Sequence, residues 1–542
     1  MYYKAESYVG SEFAGKYLWD NDLTPIYVSD NPVLNAQHVL FEAAKGHKYG
    51  LPYHAALASV TTAPAERLGF GNRLGKIKPG FDADVVVWDS DPLEVGATPV
   101  QVWIDGTAQY GNPIELKKPA PKLIFPDEST TIVEEPVEMN SVVFTGITKV
   151  LGDVEVKGRS NDKTYSAVIK NGKVTCIGVC ADEVRMATTS KVPVIALKDG
   201  HFTGSFTALG SQIGLNAIDA ESSTDNGDNV NVFTRAEDAL ALDTKKLAAA
   251  YKYGVTKTIT APKFTDGKTH HGTSVGFLTG ATNSLSKGAI FASDVAVHYS
   301  LVPDAKDAEG TPSLSAAVGS LRRKLLQAAT KLNKSNETID PADLYAEHTF
   351  LQQVVNGSLP LVLTIHNADL IASALRVKKD VEAVTDGQKK IRLAIFGGAE
   401  SHLVADSLAA ADVGVILAPL QSYATSWDQR RALSGAPLTN GTAIDVLIDA
   451  GVTTAIGLEE DWLVRDLGLL AGIAYQNGGG KLSEKSALGL VSGNLYKILG
   501  AKEPKVEEGH FVVYEGSPLE IRGRVKAVGG GLGRVSVFEE QK

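Results

Sequence analysis

Two histidines come at the ends of two apolar runs that read as neighbouring strands. His366 closes the run LPLVLTIH and His402 follows the run IRLAIFGGAES, and each run leads into a helical pattern. The two histidines lie about one strand–helix repeat apart, so a parallel barrel would bring both to the carboxyl end of its strands. This arrangement would place both imidazoles at one barrel mouth, where barrel enzymes carry their catalytic groups.

Two acidic residues follow apolar runs in a similar way. Asp30 ends the run LTPIYVSD and Glu459 follows the run GVTTAIGL. The pattern around Asp30 predicts a strand over residues 23–28 followed directly by a helix. A carboxylate at a strand end can take a proton from an attacking water. An Asp before a Pro and a helix is also a common turn or cap residue, and both interpretations of Asp30 remain open.

The chain contains a long internal repeat. Residues 57–95 and 488–521 share the same order of features, and Val60–Gly69 align with Val491–Gly500 without a gap. Each copy then passes through a charged loop and an aliphatic or aromatic strand to the tripeptide Pro-Leu-Glu. A repeat of this length indicates two related units.

The segments VSDNP, TTAPAERLG and GKIKPGFDADVVVWDSDPLEV resemble the C-terminal end of an amidohydrolase-superfamily enzyme of the imidazolonepropionase-like or dipeptidase-like branch. In that family a (β/α)8 TIM-type barrel carries a small β-sandwich built from both ends of the unit. The resemblance implies an α/β fold and metal-dependent hydrolysis of a C–N bond in a non-peptide compound or small amide. It makes Asp30 the metal-associated proton acceptor of a first unit, whose other ligands are not found before Met1.

Residues 141–530 resemble a second, complete unit of the same family. Aligning GSQIGL on the family's HxH motif places Gly210 and Gln212 where two metal-binding histidines belong. Glycine has no ligating side chain, and a neutral glutamine oxygen is a poor replacement for imidazole on zinc. The resemblance makes His366 and His402 the remaining histidine ligands, vestigial or weak, and Glu459 a displaced substitute for the aspartate.

The sequence therefore predicts a partial copy followed by a degenerate complete copy. The parts are a C-terminal end of a first unit at 1–110, a Pro-rich linker at 111–140, a β-sandwich from 141–200 and 500–540, and a barrel at 201–499.

Composition limits the choice of partners. The 542 residues carry a net charge of −10, which argues against a nucleic-acid surface. No apolar run approaches the roughly 20 residues of a membrane span, and no signal peptide follows Met1, so we expect a cytoplasmic protein. Cys176 and Cys180 are predicted to be ordinary packing residues. We expect His201 in a loop and His298 packed at a strand end.

Three functional hypotheses follow. The first is a hydrolase that acts on a small-molecule substrate and whose divalent metal, zinc, is held by His366, His402 and Glu459. The second is a catalytically inactive barrel, with no metal, that serves as a binding or scaffold partner of an active amidohydrolase half or forms a homo-oligomer. The third is a truncated product of a longer two-domain enzyme, with residues 1–110 poorly ordered.

Overall fold

The structure is a computed structural model that describes residues 3–31, 34–119, 135–158, 164–229, 232–264, 270–303, 306, 312–332, 340–385 and 387–538. Side chains are described for all of these except residues 228–229, 263–264 and 270–271. The middle of the predicted linker, 120–134, lies outside this description.

The N-terminal segment, residues 3–119, is helical and then forms a small sheet. Its helices are α1 Ala5–Tyr8, α2 Ala14–Asp20, α3 Val39–Lys48, α4 Tyr53–Ala58 and α5 Thr62–Arg67. Its antiparallel strands are β1 Val85–Trp88, β2 Pro99–Ile104 and β3 Thr107–Ala108. Helices α3 and α4 and the loop at Leu93 share a small apolar core.

The strand predicted at residues 23–28 is wrong. This stretch has no regular secondary structure, and the Leu23 and Val28 side chains are exposed. The Tyr27 N–H donates to the carbonyl of Ser59, which lies at the end of helix α4 and not in a strand. An apolar run forms a strand only where a neighbouring strand can pair with it, and none of the described residues does so here.

The next elements begin a second sheet. They are β4 Val137–Met139, β5 Ser141–Val150, β6 Tyr165–Lys170, β7 Lys173–Gly178, α6 Ala181–Thr189 and β8 Val194–Gly204. Strand β4 lies inside the stretch predicted to be linker. His201 lies in β8 and is fully buried, so the predicted loop position is wrong.

The barrel region follows from residue 206. Its strands are β9 Phe206–Leu209, β10 Asp228–Asn229, β11 Thr234–Arg235, β12 Val255–Thr260, β13 Lys263–Phe264, β14 His270–Thr273, β15 Val275–Leu278, β16 Ile290–Ala292, β17 Val297–Ser300, β18 Leu361–Ile365, β19 Leu393–Gly397, β20 Gly414–Leu417 and β21 Thr454–Ile456. Its helices are α7 Lys245–Lys252, α8 Leu314–Leu332, α9 Glu347–Asn356, α10 Ala368–Val384, α11 Ala405–Ala410, α12 Ala443–Asp449, α13 Leu467–Asn477, α14 Glu484–Gly489 and α15 Gly493–Leu499.

These strands confirm the predicted α/β class and curve into a barrel-like arrangement. Strands β17 to β21 pair in parallel in chain order, and β12 pairs in parallel with β9. The Leu458 N–H donates to the Leu209 carbonyl at 2.8 Å, which links the end of β21 to the end of β9. The apolar residues of β18 and β19 pack with helices α8 to α10 in the largest core.

One part of the arrangement differs from an all-parallel barrel. Strands β14 and β15 run antiparallel to β17 and β12. Antiparallel strands can pair without the helical crossover that a parallel pair needs. The predicted packing of His298 is confirmed, since its Nε2 lies 2.8 Å from the Ser274 hydroxyl.

The C-terminal strands return to the second sheet. They are β22 His510–Glu515, β23 Arg524–Gly530 and β24 Val535–Val537. The sheet has eight strands in the order β4-β24-β23-β22-β8-β5-β6-β7, so both ends of the predicted second unit contribute to it.

The two cysteines form a disulfide, which corrects the prediction of separate packing residues. Cys176 lies near the end of β7 and Cys180 precedes α6, so the turn between them brings the two sulfur atoms together. Both are buried in a small cluster with Val143 and Val168. No helix in the described ranges combines the length and apolar character of a membrane span.

Candidate functional site at the barrel mouth

The N-terminal segment covers the carboxyl ends of strands β20 and β21. Between them lies a cavity of about 610 Å³. We call this space the mouth cavity; its walls are residues 34–45 and 92–96 on one side and 419–425 and 457–473 on the other. The carboxyl end of the strands is where barrel enzymes place their active sites, and the volume suits a small organic molecule.

Polar contacts hold the N-terminal segment on the barrel. The Ala220 N–H donates to the Tyr3 carbonyl at 2.9 Å, and the Tyr253 hydroxyl donates to the Glu12 carboxylate at 2.7 Å. The Lys48 ammonium donates to the carbonyls of Ile521 and Gly523 at 3.2 and 2.8 Å. This segment is therefore part of the wall of the site.

His366 occupies the predicted strand-end position. It directly follows β18, and the next residue, Asn367, caps α10 by accepting from the Asp369 and Leu370 N–H groups. The ring is buried, its Nε2 lies 3.2 Å from the Gln429 side-chain amide, and its Nδ1 has no hydrogen-bond partner among the described residues. Burial lowers the pKa of His366. One ring nitrogen is engaged by an amide.

His402 also follows the neighbouring strand, as predicted, but it lies further from the strand end. It belongs to a 3₁₀ helix at Ser401–Val404, after β19 has ended at Gly397. The ring is half-buried, and burial lowers the pKa of His402. The two histidines thus share the same end of the barrel.

Glu400 is the buried carboxylate between these histidines, and sequence reasoning missed it. Its oxygens accept from the Ala368 N–H at 3.0 Å and from Arg431 at 3.0 and 2.5 Å. These donors hold the pKa of Glu400 below its usual range even though burial acts to raise it. A charged carboxylate so fully engaged by donors serves to fix the two strand ends.

The structure leaves no room for a side chain at Gly210. Its φ is +102°, and a Cβ at this position would overlap the Leu458 carbonyl oxygen and lie 2.5 Å from Phe396 Cζ. A Cβ at Gly457 would likewise meet the Phe396 ring at 2.7 Å. The Phe396 ring, on β19, therefore fills the space beside the first HxH position.

Gln212, at the predicted second HxH position, forms a hydrogen bond within a local polar network. It is buried, and its amide donates to the Asp225 carboxylate at 3.2 Å. Asp225 also accepts from Asn216 at 3.2 Å. The glutamine belongs to a local polar network.

Asp30 and Glu459 lie in different environments. Asp30 is exposed in a turn with φ +50°, while the adjacent Ser29 lines the mouth cavity. Glu459 lines the cavity itself. The surrounding protein removes part of the water around the carboxylate, which raises the pKa of Glu459 to about 7.

The donors at the mouth do not fit a zinc site with three protein ligands. Across the described side chains, one group of three or more His, Cys, Asp or Glu has its donor atoms within 4.8 Å of one another, namely Cys176, Cys180 and Glu183. Its two sulfur atoms are already bonded to each other. His366, His402 and Glu459 do not gather in this way, whereas a hydrolytic zinc centre uses three protein ligands and a water.

The raised pKa of Glu459 predicts how stability depends on pH. A carboxyl whose pKa is higher in the folded state than its ordinary 4.5 makes the protein less stable as pH rises from about 4.5 to about 7. Glu459→Gln removes this penalty, so we expect it to raise the urea midpoint relative to the parent at about pH 8 and much less at about pH 5. An equal shift at both values would show that Glu459 titrates normally; Asp22→Asn, in an exposed turn, is the control.

The fold is a barrel-like α/β arrangement, and comparisons with known proteins relate the chain to amidohydrolases. A family model described as "Amidohydrolase family" matches residues 37–110. The chain is 53% identical over 550 aligned positions to "Amidohydrolase tasK" of Hapsidospora irregularis, covering 95% of this chain and 56% of that protein. The chain is thus similar over nearly its whole length to an amidohydrolase, and it spans about half the length of this curated relative.

A solved amidohydrolase from Thermotoga maritima MSB8 has the same fold. It superimposes with a TM-score of 0.57 at 18% identity, covering 73% of this chain and 100% of that one.

Proposed function

We propose that the barrel of this chain is a non-hydrolytic amidohydrolase relative that binds a small organic molecule in the mouth cavity. The observation that carries this proposal is the Phe396 ring beside Gly210, at the place where the family's first metal ligands belong. The amide contact of His366 and the separate network of Gln212 support it. The cavity itself supports a retained binding role at the barrel mouth.

The internal repeat supports a tandem origin for the two units. In both copies a helix ends at a Leu-Gly with the glycine at positive φ, and a second positive-φ glycine precedes a strand. These strands are β1 and β22. We propose that the N-terminal segment is the end of a related unit that now covers the mouth of the complete one. On this view residues 137–204 and 510–537 are the β-sandwich of the complete unit.

Association with an active amidohydrolase half, or with a second copy of the chain, is a further part of this proposal. The curated relative named as an amidohydrolase is longer than this chain, and we propose that hydrolysis of a C–N bond belongs to such an active half rather than to this barrel.

A hydrolysis assay tests the proposal. We expect the purified chain, with zinc added, to cleave a panel of small amides no faster than buffer containing the same zinc. Zinc-dependent turnover that disappears in His366→Asn would overturn the proposal and favour the metal-dependent hydrolase instead. Turnover that persists in this variant would point to a contaminating enzyme. The variant, purified in the same way as the parent chain, therefore gives the background rate to subtract.

A further inference from the structure

The walls of the mouth cavity are largely apolar and aromatic. Leu420 and Tyr423 come from the loop after β20, and Trp462 and Leu470 come from the region after β21. Phe41 faces them from α3 of the N-terminal segment. Such walls favour a ligand with an apolar body, since burial of apolar surface contributes roughly 25 cal/mol per Å².

Most charged groups on these walls already have partners within the protein. The Lys45 ammonium lies 2.6 Å from the Glu42 carboxylate and 3.5 Å from Asp466. The Glu94 carboxylate accepts from the Val95 and Ile521 N–H groups at 3.0 and 3.2 Å. These groups are therefore engaged in holding the two walls together.

Glu459 differs from these groups. It lines the cavity, and among the described residues its carboxylate has no ion pair or side-chain hydrogen bond. His38 across the cavity supplies no charge, because burial lowers the pKa of His38 to about 4. Burial raises the pKa of the Tyr423 hydroxyl, and the nearby charges of Glu459 and Glu460 raise it further.

An acidic group beside aromatic rings in a concave site is suited to an organic cation. An ammonium gains Coulomb attraction from the carboxylate, and aromatic faces attract cations more strongly when water is excluded. Neutral and anionic ligands gain neither effect.

We propose that the mouth cavity binds an organic amine, with its ammonium group against Glu459 and its apolar body against Tyr423 and Trp462. This inference names the ligand class for the binding role proposed above and rests on that role. The ammonium supplies the cation that the described residues do not, while the aromatic walls enclose the rest of the molecule.

Three probes of the same shape test the ligand class by calorimetry or ligand-detected NMR with the full chain. They are 4-phenylbutylamine, 4-phenylbutanol and 4-phenylbutyrate, which differ in carrying a cationic, a neutral or an anionic head. We expect the amine to bind at least about tenfold more tightly than either of the others, as expected for about 1.4 kcal/mol of charge selectivity. Equal binding of amine and alcohol, or tighter binding of the carboxylate, would overturn the inference while leaving a binding cavity in place.

Variants locate the selectivity. Glu459→Gln keeps the size of the side chain and should lower amine affinity to the level of the alcohol without changing alcohol affinity. Asp22→Asn removes an equal charge from an exposed turn outside the cavity and should change neither. Loss of amine selectivity in both variants would show that net charge alone attracts the amine. If none of the three probes binds, the proposed binding role fails together with the inference.

Discussion

Replacing Lys246 by methionine is expected to lower the free energy of unfolding by about 3–5 kcal/mol. Lys246, on α7, is 1% exposed, and its ammonium lies 2.7 Å from Asp219 and 2.6 Å from Asp461. Methionine fills a similar volume but leaves the buried Asp461 carboxylate without this cation. The large cost comes from that uncompensated charge, since a buried ion pair by itself adds little net stability. Equilibrium unfolding in urea measures the change.

A surface pair provides the control for this prediction. The Lys16 ammonium lies 2.6 Å from Asp20 one turn away on α2, where both side chains reach solvent. Lys16→Met should change stability by less than about 0.5 kcal/mol, the range of exposed helix pairs. A Lys246→Met effect as small as that of Lys16→Met would contradict the buried position of the ion pair.

Gly210→Ala is expected to lower the free energy of unfolding by about 3 kcal/mol or more. The alanine would have to adopt φ +102°, and its Cβ would overlap the Leu458 carbonyl and the Phe396 ring. The Leu458 carbonyl is backbone just after the end of β21, so it cannot rotate away as a flexible side chain would. Urea unfolding again gives the measurement.

Gly80→Ala separates backbone strain from steric overlap. Gly80 has φ +87°, and apart from Gly80 and its two chain neighbours no atom of the described residues lies within 4 Å of the point that a Cβ would occupy, so only the strain of the positive φ applies. We expect a loss of about 1–2 kcal/mol there. Similar losses in stability at both glycines would mean that the structure has room for a side chain at Gly210. The predicted first HxH position could then still accommodate a ligand side chain.

The positions of His366 and His402 could be predicted from the sequence because both depend on a local pattern. Each apolar run is a buried strand, and consecutive parallel strands end at the same side of a sheet. The assignment of Gly210 and Gln212 as degenerate ligand positions depends on aligning a short motif and stays a prediction. The resemblance also predicted that both ends of residues 141–530 would contribute strands to one sheet, and the eight-stranded sheet contains strands from both ends.

Other features depend on contacts between distant parts of the chain, which local patterns do not contain. The placement of the Phe396 ring beside Gly210 arises from the curvature that brings β19 and β9 together. The apolar run at residues 23–28 looked like a strand because nothing in it showed that no partner strand would pair with it. The mouth cavity depends on how the N-terminal segment packs against the barrel, and these two parts are far apart in the sequence.

The zinc content of the purified chain is the most direct test of the claim that this barrel has lost its metal centre. The purified chain would be dialysed against a chelator, reconstituted with zinc, freed of excess metal, and analysed by inductively coupled plasma mass spectrometry. We predict less than about 0.2 equivalents of zinc, since the described residues at the mouth do not bring together the three protein ligands of a hydrolytic centre. About one equivalent, lost in both His366→Asn and His402→Asn variants that still fold, would contradict the account.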